Sequence, residues 1–173
     1  FTLVCAMAYL HLGMSVFDAT AHAMTTISTG GFANYDASFA TFAGPMEYVA
    51  AVFMILAALP FVRYVQLVNG NPVALRRDPQ VRGFILTIAV LVLLLVVLLE
   101  EGVHMSNEQA IREALFNVTS IISGTGFASV DYMQWGSFAI ALFFFMGLIG
   151  GCAGSTACSV KVFRYQLLFA SIR

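Results

Sequence analysis

The sequence predicts an all-α integral membrane protein built from two tandem helix–re-entrant loop–helix repeats, and three observations lead there. Of 173 residues, 60% are hydrophobic and 10% charged, with a mean hydropathy of +0.89. Soluble domains carry about 25% charged residues, and a soluble chain this short has no core large enough to hide so much apolar surface. The polar, glycine-bearing stretch "STGGFANYD" (residues 28–36) returns about 95 residues later as "SGTGFASVD" (residues 123–131). Each copy follows a short polar segment of helical propensity and is flanked by apolar runs. A repeat of that length is too long for a solenoid unit and suits a duplicated membrane hairpin.

The elements follow in order. Residues 1–14 form a first apolar run, and residues 15–29 an alanine-rich, more polar helix opened by a capping-type Ser15-x-x-Asp18. Residues 41–68 are a second long apolar run broken only by Glu47 and Arg63. "NGNPVALRRDPQ" (69–80) reads as a loop, dense in turn formers and charge. Residues 81–99 give the clearest span: about 17 uncharged residues at 1.5 Å each cover roughly 25 Å of hydrocarbon. Residues 106–122 are a second polar helix, opened by Ser106-x-x-Gln109. Residues 132–160 are a long uncharged run containing "GGCAGSTACS" (150–159), where Gly150, Gly151 and Gly154 weaken a helix by about 1 kcal/mol each against Ala. The chain thus divides into a first repeat (1–69, with its short helix and glycine loop at 18–33), a connector (70–80) and a second repeat (81–173). In the second repeat the short helix and loop occupy 107–128, and the closing helix is interrupted at 150–159.

Charge placement orients this arrangement. With both glycine loops on one side, Arg63, Arg76, Arg77, Arg82, Lys161, Arg164 and Arg173 fall on the connector side, and only Arg112 does not. Asp18, Asp36, Glu47, Glu100, Glu101, Glu108, Glu113 and Asp131 fall on the loop side, with Asp78 the exception. The positive-inside rule makes the connector cytoplasmic. The net charge of −1 excludes a nucleic-acid surface. Cys5, Cys152 and Cys158 read as small buried residues, and His11, His22 and His104 show no metal-ligand spacing. Lys161 and Arg164 read as interfacial anchors, with contact to the glycine-rich segment as the alternative. No nucleophile, acid–base pair or phosphate loop is present, so the chain reads as neither an enzyme nor a cofactor carrier. The first residue is not Met, and both ends look cut from longer helices, which suggests a piece of a larger protein.

The short helices are too polar to span, whereas a helix that dips in and returns as extended backbone fits them. Such backbone is tolerated at membrane depth only against protein or a water-filled path. Gly30-Gly31 and Gly124-x-Gly126 supply backbone freedom for carbonyls turned toward a cation, and Thr29 and Thr125 add hydroxyl oxygens. The two short helices aim their partly negative C-terminal ends at the same place, and acidic residues on that face concentrate cations. Asp36 and Asp131 recur just after the glycines, as supports for the loops or as turn caps.

The stretches "HAMTTISTGGF", "SIISGTGFASVDYMQWGSF" and "GGCAGSTACSVKVFR" resemble the Trk/Ktr/HKT superfamily of potassium transporters over essentially the whole chain. The resemblance matches the second and third of four non-identical repeats around one pore, a potassium-channel-like fold in the bacterial inner membrane. It implies potassium uptake, with potassium the transported ligand and the only metal. The selectivity filter falls at Thr29, Gly30, Gly31 and Phe32, then Gly124, Thr125, Gly126 and Phe127. Gly31 and Gly126 match the filter glycine, where serine in some relatives accompanies sodium permeation. The resemblance further implies an intramembrane gate at Gly150, Gly151, Gly154, Ser155 and Thr156. Relatives carry more glycines after the Ser-Thr pair, where this chain has Ala157 and Cys158. It also implies a homodimer of the full-length protein in the lipid bilayer and a cytoplasmic nucleotide-binding regulatory subunit.

Two other readings fit the residues: a complete two-repeat cation channel subunit that dimerises, and a secondary transporter with broken helices.

Overall fold

The computed structural model describes residues 1–102 and 105–172. His104 and Arg173 lie outside the described residues. The chain is helical throughout its regular structure: α1 (Thr2–His11), α2 (Val16–Ile27), α3 (Pro45–Ala57), α4 (Phe61–Val68), α5 (Val73–Arg77), α6 (Pro79–Gly102), α7 (Asn107–Ser123), α8 (Ser137–Met146) and α9 (Val162–Ile172). Two 3-10 turns, Ser38–Phe42 and Tyr132–Trp135, follow the two glycine loops.

Helix α6 is long and apolar enough to cross a membrane, and its exposure pattern says what surrounds it. Leu86, Val90, Leu93 and Val97 recur at helical spacing on one face and are exposed, while Phe84, Ile88, Leu95 and Leu99 on the other are buried. An exposed stripe so apolar has lipid as its solvent. Lipid tails are as apolar as leucine, so the buried face is held by packing rather than by exclusion from water.

Both short helices open with the serine caps that their sequences advertise: Ser15 Oγ accepts from the Asp18 amide (3.1 Å) and Ser106 Oγ from the Gln109 amide (3.4 Å). Such a cap satisfies one of the orphan amides of a first turn. Helix α7 packs chiefly on α3 and α6, and α2 on α1, so each short helix stands behind longer apolar ones.

The long apolar runs are less continuous than their composition suggests. The 41–68 run breaks between α3 and α4 with a 90° bend. Pro60 stands at the break with no amide to donate, and the freed groups find other partners. The Leu56 carbonyl accepts from Tyr64 Oη (2.7 Å), and the Ala58 carbonyl from the Cys152 amide (2.9 Å). The 69–80 stretch contains α5, and α6 begins at Pro79 with its fixed φ suited to a first turn. The closing run of the second repeat is helical only to Met146, and helix resumes at Val162. The non-helical stretch is therefore wider than 150–159.

Both charges that break the sidedness pattern are paired locally. Arg63 Nε meets Asp78 Oδ2 at 2.7 Å on the connector side. Arg112 pairs with Glu47 and, at 3.2 Å, with Glu108 on the loop side.

Candidate functional site

The two glycine loops meet, Gly31 against the Thr125–Gly126 backbone. Gly31 has φ +65°, and a Cβ placed there would lie 1.8 Å from the Thr125 carbonyl oxygen. No side chain fits that approach, so glycine is required both by the left-handed backbone and by the neighbouring loop. Gly124 and Gly126 also have positive φ, +77° and +84°. Gly30 does not; the positive-φ residue beside it is Thr29, at +51°. The backbone freedom expected of Gly30 is thus used one residue earlier, by a threonine.

A hydroxyl braces each loop at the same offset. Thr25 Oγ1 donates to the Phe32 carbonyl at 2.9 Å, and Ser120 Oγ donates to the Phe127 carbonyl at 2.7 Å. Each bond joins the last turns of a short helix to the strand that returns from it, which fixes the depth of the loop. Inside the second loop, Ser123 Oγ and Thr125 Oγ1 are 2.7 Å apart.

The outer ends are clamped differently. In the first repeat Asp18 Oδ1 accepts from Asn34 Nδ2 (2.9 Å), and Oδ2 accepts from Tyr35 Oη (3.1 Å) and Ser15 Oγ (2.7 Å). Donation by Asn34, then by Ser15 and Tyr35, holds the Asp18 carboxyl below its ordinary pKa against the opposing effect of burial, and the same bond raises the Tyr35 phenol. In the second repeat the amide of Asn117 does this work. Its Nδ2 donates to the Glu113 carbonyl (2.8 Å) and to Ser129 Oγ (2.9 Å), and its Oδ1 accepts from the Ser129 amide (3.3 Å). Asn117 is fully buried, which leaves the Asn-Val-Thr glycosylation triplet that begins there inaccessible.

Phe39 ties the two repeats together. Its ring packs on Tyr9, His22, Phe116 and Phe127, and its amide donates to the Ala128 carbonyl (3.0 Å). His22 is a packed core residue whose Nδ1 lies 2.8 Å from the Asp18 carbonyl. Phe127 is buried in this hub, whereas its counterpart Phe32 is 78% exposed.

Residues 147–161 lie against both loops. Ile149 and Val160 form an isolated parallel bridge, and the Gly150 amide donates to the Val160 carbonyl at 2.9 Å. A Cβ on Gly150 would sit 2.0 Å from the Cys158 carbonyl oxygen, so this crossing needs glycine for closeness. Thr156 Oγ1 donates to the Ile27 and Ala57 carbonyls, each at 3.1 Å, and Thr29 Oγ1 donates to the Thr156 carbonyl at 2.9 Å. Ser155 Oγ closes back on the Cys152 carbonyl (2.7 Å), Gly154 has φ +78°, and the Gly154 carbonyl accepts from the Phe61 amide (3.0 Å). Lys161 Nζ donates to the Ala157 carbonyl, so its ammonium contacts the glycine-rich segment rather than serving only as an anchor. Cys158 is exposed, unlike buried Cys5 and Cys152.

The structure therefore brings Thr29 and Gly31 together with Thr125, and sets Thr156 beneath the first loop. Asp131 caps the following turn by accepting from the Met133 amide (3.2 Å), and Asp18 is the carboxylate that clamps a loop. Asp18, Asn34 and Tyr35 were not singled out as loop supports from sequence. Nor were Thr25 and Ser120, although their hydroxyls recur about 95 residues apart, seven residues before each phenylalanine.

A family model described as TrkH, cation transport protein, matches residues 1–173. The chain belongs to the TrkH cation transport family. Among its relatives, the Trk system potassium uptake protein TrkI of Halomonas elongata is 42% identical over 176 residues, which cover 100% of this chain and 35% of that protein. The Trk system potassium uptake protein TrkH of Escherichia coli K12 is 34% identical over 171 residues, 97% of this chain and 35% of that protein. The crystal structure of the potassium transporter TrkH from Vibrio parahaemolyticus superposes with a TM-score of 0.92 at 34% identity, covering 97% of this chain and 37% of that one. The chain thus spans about 35% of the length of the curated relatives it matches.

Proposed function

We propose that this chain is part of a potassium-uptake pathway in a bacterial inner membrane, and that its two glycine loops contribute selectivity-filter backbone. The observation that carries the reading is the meeting of two loops of like construction. Each leaves the C-terminal end of a short polar helix, each uses left-handed backbone, and each has its phenylalanine carbonyl held by a hydroxyl seven residues earlier. Carbonyls fixed in this way replace an ion's hydration shell, and partly negative helix ends favour a cation. The names of the relatives, potassium uptake proteins, point to the ion.

In this reading Thr29 to Phe32 and Gly124 to Phe127 line the path, and potassium binds at those residues alone. The connector is cytoplasmic and the loops face the periplasm, as the distribution of Arg and Lys suggests. A membrane voltage of 100 mV then contributes about 2.3 kcal/mol per charge to inward movement. Residues 150–159 act as the gate beneath the filter, with Gly150, Gly151, Gly154, Ser155 and Thr156 setting its shape. Two loops supply half of a four-fold ring. The exposure of Phe32, where equivalent Phe127 is buried, suits a further repeat packing on that side. The family resemblance adds a homodimer of the full-length protein and a nucleotide-binding regulatory subunit on the cytoplasmic face.

The test is rubidium uptake by cells carrying the full-length protein, with Gly31→Ser and Gly126→Ser compared against the parent. Loss of uptake or a shift toward sodium is expected in both. Unchanged rate and selectivity in both variants removes the filter assignment.

A further inference from the structure

Asp18 and Glu113 occupy equivalent places in the two repeats, about 95 residues apart, yet only one of them is satisfied. Both Asp18 oxygens are used, by Asn34, Tyr35 and Ser15. At the positions equivalent to Asn34 and Tyr35 the second repeat has Ser129 and Val130. Ser129 is committed to Asn117, and Val130 has no polar atom to offer. Glu113 Oε1 accepts from Gln109 Nε2 at 2.8 Å, but Oε2 has no partner, although the residue is only 3% exposed. Arg112, one residue earlier, is taken by Glu47 and Glu108. A buried carboxylate with neither a cation nor a full set of donors is costly, and a ligand that supplies the charge relieves that cost.

Glu113 lines a cavity of about 250 Å³, together with Gln109, Val130, Asp131, Gln134 and Trp135. Among the described residues, its walls hold two carboxylates and no basic side chain. The described residues contain no cluster of three His, Cys, Asp or Glu side chains able to hold a metal ion. An indole wall beside carboxylates suits a cation that carries carbon, because the ring face attracts positive charge while the carbon covers apolar surface.

We propose that this cavity binds a small organic ammonium ion, its charge balanced by Glu113 and Asp131 and its alkyl groups against Trp135 and Val130. The site lies by the start of α7, outside the residues assigned to the ion path, and does not depend on which ion that path conducts. In the first repeat the equivalent carboxylate accepts instead from Tyr35 Oη.

The test is calorimetric titration of tetramethylammonium chloride into the full-length protein in detergent at constant ionic strength, with sodium chloride as the control titrant. Saturable binding is expected, weakened at least tenfold by Glu113→Gln. Val130→Tyr gives Glu113 the phenol that Asp18 has and fills the cavity. It abolishes binding while leaving the unfolding temperature unchanged or higher, so loss of binding there is not loss of fold. Absence of saturable heat in the parent overturns the proposal. So does binding as tight as the parent's in both Glu113→Gln and Val130→Tyr, which would place the ammonium in the ion path instead. Equal heat from sodium chloride also overturns it, since that marks general attraction to an acidic face.

Discussion

Gly31 and Gly126 are equivalent in sequence but not in surroundings, and alanine substitution separates them. Both have left-handed backbone, φ +65° and +84°, so a Cβ costs each roughly 1–2 kcal/mol in backbone strain. At Gly126 nothing lies within 4 Å of the new carbon, so strain is the whole effect. At Gly31 the carbon would stand 1.8 Å from the Thr125 carbonyl oxygen and 2.8 Å from its carbon. A close carbon–oxygen contact is about 3.3 Å, so that carbonyl must retreat by about 1.5 Å or the first loop must shift as far. Backbone is the obstacle, and no rotamer change relieves it. Gly31→Ala is therefore expected to abolish rubidium uptake by the full-length protein. Gly126→Ala should keep a measurable fraction, and both should reach the membrane in similar amounts. Equal uptake by the two variants, or a Gly31→Ala variant that transports like the parent, would refute the claim that the loops abut at Gly31.

Thr156→Val removes a hydroxyl proton shared between the Ile27 and Ala57 carbonyls, worth about 0.5–1.5 kcal/mol. It is expected to raise basal uptake in the absence of regulators, while Thr156→Ser restores the parent's rate. Arg63→Ala leaves buried Asp78 with the Gln80 amide as its remaining donor. It should lower the unfolding temperature in detergent, with a coupling to Asp78→Asn near 1 kcal/mol in a double-mutant cycle because Arg63 is a third exposed. Asp18 gives a pH signature. Its folded pKa lies below 3.8, so its stabilisation is complete above that value and is lost as pH falls through the lower folded value. Asp18→Asn is expected to flatten stability against pH below 3.8, as read from acid unfolding midpoints.

The architecture was legible because lipid imposes a strict code. An uncharged run such as 83–99 has few alternatives to a spanning helix, and serine caps mark helix starts by local chemistry alone. The internal repeat made the glycine loops visible, since chance does not often return Ser, Gly, Phe, Ala and Asp in register. What stayed hidden were features set by neighbours distant in sequence. The 90° bend at Pro60 depends on Ala58 and Phe61 finding partners in residues 150–160, and no local pattern announces that. The clamp on Asp18 needs Asn34 and Tyr35 to fold back over 16 and 17 residues. The exposure of Cys158 depends on a crossing that two glycines permit. Composition could not reveal that Thr29, rather than Gly30, takes the left-handed turn.

The non-helical segment engages the two loops unequally, and this bears on how its movement would reach the path. Under the first loop it is hydrogen-bonded: Thr29 donates to the Thr156 carbonyl, and Thr156 donates to the Ile27 carbonyl at the end of α2. Under the second loop it is only packed, with Cys158 so close that a Cβ on Gly124 would lie 2.8 Å from the cysteine Cβ. Withdrawing the segment therefore breaks directed bonds at one loop and merely relieves contact at the other. Directed bonds hold one geometry, whereas packing tolerates sliding. The first loop is thus the one whose carbonyl positions depend on the segment. The second is held from within by Ser120, Ser123 and Asn117. A path lined by both would respond to the segment through Thr29, which already stands in left-handed backbone and, when Thr156 moves away, keeps only the carbonyl of its neighbour Ser28.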